Sequence, residues 1–123
     1  MLPLSDDLDE LQSAMLRALA SRTRLRILHA LATGPAEVHD LADALGLTQT
    51  ATSQHLAALR AVGVVEAERD GRSMHYRVAD PDLVAACDLL RTVLVRRLAH
   101  LGDLAASADD RGHYAIVAGG AQH

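Results

Sequence analysis

The chain has no phenylalanine, no tryptophan and no lysine, and among its 123 residues only two tyrosines and one cysteine. Each shortage excludes something. Without aromatic bulk, the core must be built from Leu, Val, Ala and Met. Such cores suit helices packed on helices, where Ala lets the axes approach closely. A small monomer of this kind is marginally stable, and an obligate dimer relieves that by burying more apolar surface. The lone Cys87 excludes an internal disulfide and any multi-thiolate metal site within one chain; a buried structural thiol is its ordinary role. No apolar run approaches the ~18 residues of a membrane span. The opening "MLPLSDDLDE" is acidic and unlike a signal peptide, so a cytoplasmic protein is expected.

Charge is also one-sided in kind. All 12 cationic side chains are Arg, and the net charge is −4. That balance argues against non-specific nucleic-acid binding. Any such affinity has to come from local placement of guanidinium forks.

What is present is a run of helical signals. Ser5-Asp6-Asp7 precedes apolar residues at Leu8, Leu11, Met15, Ala18 and Leu19, with carboxylates at the positive helix end. Ser21 reads as an N-cap for "RTRLRILHALATG", with Leu25, Leu28, Leu31 and Ala32 on one face and Gly34-Pro35 as the stop. A short helix over about Ala36–Leu45 turns Val38, Leu41, Ala42 and Leu45 inward and ends at Gly46. Thr48 is placed to cap a further helix to about Val62, ended by Gly63. Two short helices joined through about three residues that include Gly form a helix-turn-helix pattern.

The period then changes from helical to alternating. "VVEAERDGRSMHYRV" alternates on both sides of Asp70-Gly71, a strong hairpin signal. Asp80-Pro81 opens the last helix. Leu83, Cys87, Leu90, Leu94, Leu98 and Leu101 form a seam about 20 residues long. The seam could lie on its own domain, but it is longer than a small domain covers, which favours dimerisation. The fold expected is mainly α with a β-hairpin wing, in the order α-α-α-α-β-β-α. One domain spans 1–105, and a polar, Gly-rich tail, expected to be mobile, spans 106–123.

Placing residues 49–62 at 100° intervals sorts them into two faces. Ala51, Thr52, His55, Leu56, Leu59 and Val62 share one side. Thr50, Ser53, Gln54 and Ala57 share the other, with Ala61 behind them. An ordinary solvated helix face carries Lys, Glu or Arg, and this one carries none over its first eleven positions. A DNA major groove accepts a helix with such a slim face. Gln can pair with adenine there, and a Thr methyl can meet a thymine methyl. The DNA-contacting residues expected are Thr48, Gln49, Thr50, Ser53, Gln54 and Arg60 in this helix. Arg69, Arg72 and Ser73 at the wing join them. His55 falls on the inward side, as a packed, hydrogen-bonded histidine rather than a base contact or ligand. From Thr48 to Arg77 four Arg face three acids, a sum of only +1, so the wing is not strongly basic.

The segments "SRTRLRIL", "DLADALGLTQTATSQHLAALRAVGVV" and "RDGRSMHYRV" closely resemble the ArsR/SmtB family of winged-helix transcriptional regulators, over about Leu16–Asp80. The resemblance implies a homodimer built on the first and last helices, which makes Leu8, Leu11, Met15, Leu83, Cys87, Leu90, Leu94, Leu98 and Leu101 the interface. It also implies double-stranded operator DNA with two-fold symmetry as partner. Family members often release DNA on binding metal, but the metal positions are depleted here. Glu37 and His39 stand where one family site has Cys-x-Cys, and such a pair needs further ligands to hold nickel, cobalt or zinc. A second family site maps to Asp80 and Asp82, with Val93 and Arg96 where its remaining ligands would be. His100, Asp103 and His113 offer a third grouping, read more readily as solvated polar residues. No cofactor is required. Nickel, cobalt or zinc is the effector class, sensed weakly or through an effector-sensing partner protein. The competing class is a winged-helix protein-interaction module that no longer binds DNA. The sequence has no nucleophile–base pairing, no phosphate-cradling loop and no carboxylate pair suited to an enzyme.

Overall fold

A computed structural model of the chain describes residues 5–108. Four helices come first: α1 (Ser5–Leu19), α2 (Arg22–Leu31), α3 (Val38–Leu45) and α4 (Gln49–Ala61). Strands β1 (Val65–Asp70) and β2 (Ser73–Val78) follow, then α5 (Pro81–Ala108). The order is the winged helix-turn-helix order expected. The chain divides into two compact units between Val84 and Ala85.

In the first unit, hydroxyl caps set the helix starts. Ser21 Oγ accepts from Arg24 N at 3.3 Å, and Thr48 Oγ1 accepts from Ala51 N at 3.0 Å. Gly46 ends α3 in the left-handed region at φ 69°, which lets Leu47 N donate to Ala42 O at 2.9 Å. The turn is therefore Gly46-Leu47-Thr48, and it fixes the angle between α3 and α4. The core is Ile27, Leu28 and Leu31 from α2, Leu41 and Ala42 from α3, Leu56 and Leu59 from α4, and Val64 and Val65 entering β1. Each such aliphatic side chain contributes roughly 1.5–3 kcal/mol by leaving water. Thr52 is also fully buried, and its hydroxyl donates to Thr48 O at 2.8 Å, which satisfies that side chain.

Several local expectations shift. On α2 Ile27 joins Leu28 and Leu31 in the core, whereas Leu25 is half-buried and Ala32, the C-cap, is exposed. Helix α3 starts at Val38, two residues late, because Ala36 is taken by β2. Ala36 N donates to Tyr76 O at 3.0 Å and Tyr76 N to Ala36 O at 2.8 Å. This bridge gives the hairpin a third, one-residue strand. Val38 and Leu45, at the two ends of α3, are only half-buried. The hairpin register pairs Asp70 with Ser73, so the two tip residues are Gly71 and Arg72 rather than Asp70-Gly71. Gly71 has φ 64° and Arg72 has negative φ, as a II′ turn requires.

Helix α5 is 28 residues long, about 42 Å. The tail expected from 106 starts instead as more helix: residues 106–108 continue α5. Residues 109–123, His113 among them, lie outside the described residues. The apolar surface of α5 is broader than the seam. Leu83, Cys87 and Leu98 are half-buried, while Leu90, Leu94 and Leu101 are exposed. Leu89, Val93, Val95 and Leu104, all outside the seam, are exposed as well. At 100° per residue, Val93 lies beside the seam and Leu89 beyond Val93, so one side of α5 presents a wide exposed apolar face. Among the described residues no helix is long and apolar enough to cross a membrane.

Candidate nucleic-acid interface

The two faces of α4 separate as the wheel predicts. Thr52, Leu56 and Leu59 are buried; Gln49, Thr50, Ser53, Gln54, Ala57, Arg60 and Ala61 are exposed. Thr48 has a double role. Its side chain caps α4, and as the residue before the helix it stands beside free backbone N–H groups, where an anion is favoured. The exposed side of the first two turns therefore carries only hydroxyls, amides and a methyl. It meets the steric and chemical demands of a groove.

His55 is half-buried on the inner side. Arg24 Nε donates to His55 Nδ1 at 3.1 Å. A guanidinium can only donate, so Nδ1 accepts and the ring proton sits on Nε2. The same guanidinium donates through Nη1 to Ala18 O at 3.2 Å, one of the last carbonyls of α1. Two residues on, Arg26 Nη2 donates to Leu45 O at 3.1 Å at the end of α3. Arginines of α2 thus tie both helices of the helix-turn-helix. Sequence reasoning passed over both. The signal was present in "SRTRLR", where arginines alternate with residues of a core-facing helix.

The wing divides by its pleat. Glu66, Glu68 and Asp70 pair with Arg77, His75 and Ser73 on one face; Val65, Ala67 and Arg69 pair with Val78, Tyr76 and Met74 on the other. Arg77 is engaged on its own face. It donates to Glu68 Oε2 through Nη1, and its Nε lies 3.5 Å from Glu66 Oε1. The hydrogen bond to Glu68, then the charges of Glu68 and Glu66, raise the Arg77 pKa above its ordinary value. Arg60, Arg69 and Arg72 are exposed and have no ion pair among the described residues. Arg72 sits at the tip, and Ser73 beside it is half-buried.

Among the described residues, the positions expected to hold metal do not come together. His39 is exposed on α3, with Nδ1 3.3 Å from Asp43 and 3.7 Å from Asp40. Glu37 precedes α3 and is half-buried. Asp80 Oδ1 accepts from Asp82 N at 2.9 Å, a capping contact at the start of α5. His100 and Asp103 are exposed on α5. Among the described residues no three His, Cys, Asp or Glu side chains are grouped to hold a metal ion. The thiol of Cys87 is pushed up from its ordinary pKa, first by burial and then by Asp88, with Arg91 opposing.

Comparison with known proteins agrees with this geometry. Residues 21–67 match the family model described as bacterial regulatory protein, arsR family. The HTH-type transcriptional regulator Rv0324 of Mycobacterium tuberculosis is 39% identical over 94 residues, which are 76% of this chain and 40% of Rv0324. The chain thus spans about two fifths of that relative. The HTH-type transcriptional regulator NmtR of the same organism is 40% identical over 86 residues, 70% of this chain and 72% of NmtR. Among solved structures, the homodimeric winged helix-turn-helix DNA-binding domain of Mb0332 from Mycobacterium bovis superposes with a TM-score of 0.72. It is 36% identical, over 81% of this chain and 95% of that one.

Proposed function

The chain belongs to the arsR family of bacterial regulatory proteins, and from that premise we propose how it acts. It is a sequence-specific DNA-binding transcriptional regulator that works as a homodimer on a two-fold operator. Helix α4 enters the major groove. Ser53 and Gln54 read base edges, with Thr50 beside them, while Thr48, Gln49, Arg60, Arg69, Arg72 and Ser73 hold the backbone. The observation that carries the reading is the exposed side of α4, which has no charge from Gln49 to Leu59 although every residue on it is solvent-facing.

The dimer is made by α1 and α5. Leu8 and Leu11 on α1, at 52% and 62% exposure, and Leu90 and Leu94 on α5, at 60% and 62%, are too apolar to stay in water. The DNA-binding and dimerisation domain takes in residues 1–105, with 106–123 as its tail. Nickel, cobalt or zinc acts through ligands supplied jointly by two copies or by an effector-sensing partner protein, because the described residues of one copy group fewer than three. The protein works in the cytoplasm and catalyses no reaction.

The test is selection of binding sites from a random duplex pool, followed by fluorescence anisotropy on the selected operator at fixed salt. We expect Ser53→Ala combined with Gln54→Ala to lower affinity for the selected operator at least tenfold and to spare random-sequence binding. Unchanged discrimination would remove these two residues from the reading set. Failure to enrich any sequence would favour the protein-interaction module instead.

A further inference from the structure

A recognition helix reads bases only if its angle to the dimer frame is fixed. In this chain one side chain spans the elements involved. Arg24 lies in the first turn of α2, with its own N–H held by Ser21 Oγ at 3.3 Å. Its guanidinium bonds Ala18 O at the end of α1 and His55 Nδ1 on α4, at 3.2 and 3.1 Å. Ala18 is the buried residue of α1, and His55 lies one turn from the fully buried Thr52 and Leu59. Both ends of the bridge are therefore on packed ground. The planar fork gives each bond a fixed direction, which a flexible ammonium does not.

We propose that Arg24 is a positioning residue for DNA reading: acting through His55, it sets the angle of α4 on the frame formed by α1 and α2. The inference rests on the DNA-binding reading above. Helix α1 is on the dimer side of that reading and α4 on the DNA side, so the bridge joins the two. It makes no contact with DNA itself. Its effect is on how strictly two half-sites must be spaced, because one inserted base pair turns the half-sites by about 35° and parts them by about 3.4 Å.

The test uses the full chain and the selected operator, with versions carrying one base pair more or less between half-sites. The variants are Arg24→Met, Arg24→Lys, which keeps the charge but not the fork, His55→Asn, which keeps an acceptor near Nδ1, and His55→Ala. Circular dichroism and sedimentation check fold and dimer. Wild type should lose affinity steeply on respacing. Arg24→Met should bind the operator about tenfold more weakly and show a markedly flatter spacing preference. Arg24→Lys should fall between, His55→Asn should retain most of the preference, and Arg24→Met with His55→Ala should cost no more than either alone. The ¹⁵N shift of His55 Nδ1 should move in Arg24→Met without DNA. An unaltered spacing preference in folded, dimeric Arg24→Met, or additive losses in the double variant, overturns the inference and leaves the DNA reading standing. A wild type that binds no operator overturns the DNA reading first, and the inference with it. If Arg24→Met does not fold, Arg24→Lys against His55→Ala carries the same comparison.

Discussion

The wing makes a quantitative prediction about salt. Phosphate binding by arginine releases counterions, and the logarithm of affinity falls with the logarithm of salt at about 0.9 per phosphate neutralised. Three arginines near the candidate surface, Arg60, Arg69 and Arg72, have no ion pair among the described residues. Two copies then neutralise about six phosphates, for a slope of about −5 and a loss of about three decades between 50 and 200 mM salt. Arg77 is excluded because Glu66 and Glu68 already hold it. Releasing it tests that exclusion. With Glu66→Gln and Glu68→Gln together, the count rises to about eight and the slope steepens to about −7, whereas Arg72→Ala should flatten it to about −4. The assay is anisotropy of a labelled operator across a salt series. A wild-type slope already near −7, or a double Gln variant with an unchanged slope, rules out this count of free arginines.

Other predictions concern stability, assembly and the thiol. Leu56 is fully buried, so Leu56→Ala should destabilise the fold by about 2–5 kcal/mol in urea titration. Thr48→Ala removes the α4 cap and should cost about 1 kcal/mol, with Thr48→Ser restoring most of it. Leu90→Glu with Leu94→Glu places charge on the exposed side of α5, and sedimentation should then report a monomer that keeps its helical spectrum. Burial and Asp88 favour the neutral thiol of Cys87, so at neutral pH it should react with iodoacetamide more slowly than a free thiol. Its rate should climb only as pH passes above the ordinary cysteine range.

Much of this was legible in the sequence because it is written in local chemistry. Ser21 and Thr48 announce helix starts through a hydroxyl that needs only three residues of context. The wheel of α4 sorts His55 inward from spacing alone. What stayed hidden depends on partners distant along the chain. The pairing of Ala36 with Tyr76 joins residues 40 apart, and nothing in "GPAEV" signals a strand. The bond from Arg24 to His55 crosses 31 residues. The tip of the hairpin was misplaced by one residue because Asp-Gly suits one turn type and Gly at the first tip position suits another. The width of the apolar face on α5 was underestimated because a seam follows one stripe, and Val93 and then Leu89 extend the face away from it. Metal ligation was the least legible, since the candidate positions lie on separate elements.

The two-sidedness of α4 also bears on how a protein of this kind diverges. Thr50, Ser53, Gln54 and Ala57 support nothing beneath them, while Thr52, Leu56 and Leu59 hold the fold. Exchanging the first group should change what the helix recognises at almost no cost in folding, since exposed substitutions usually shift stability by less than about 0.5 kcal/mol. A duplicated copy could therefore acquire a new target in a few steps without first losing its structure. The tether from Arg24 would keep each new set of side chains at the same depth and angle, so variation on that surface would be tried against a constant mount.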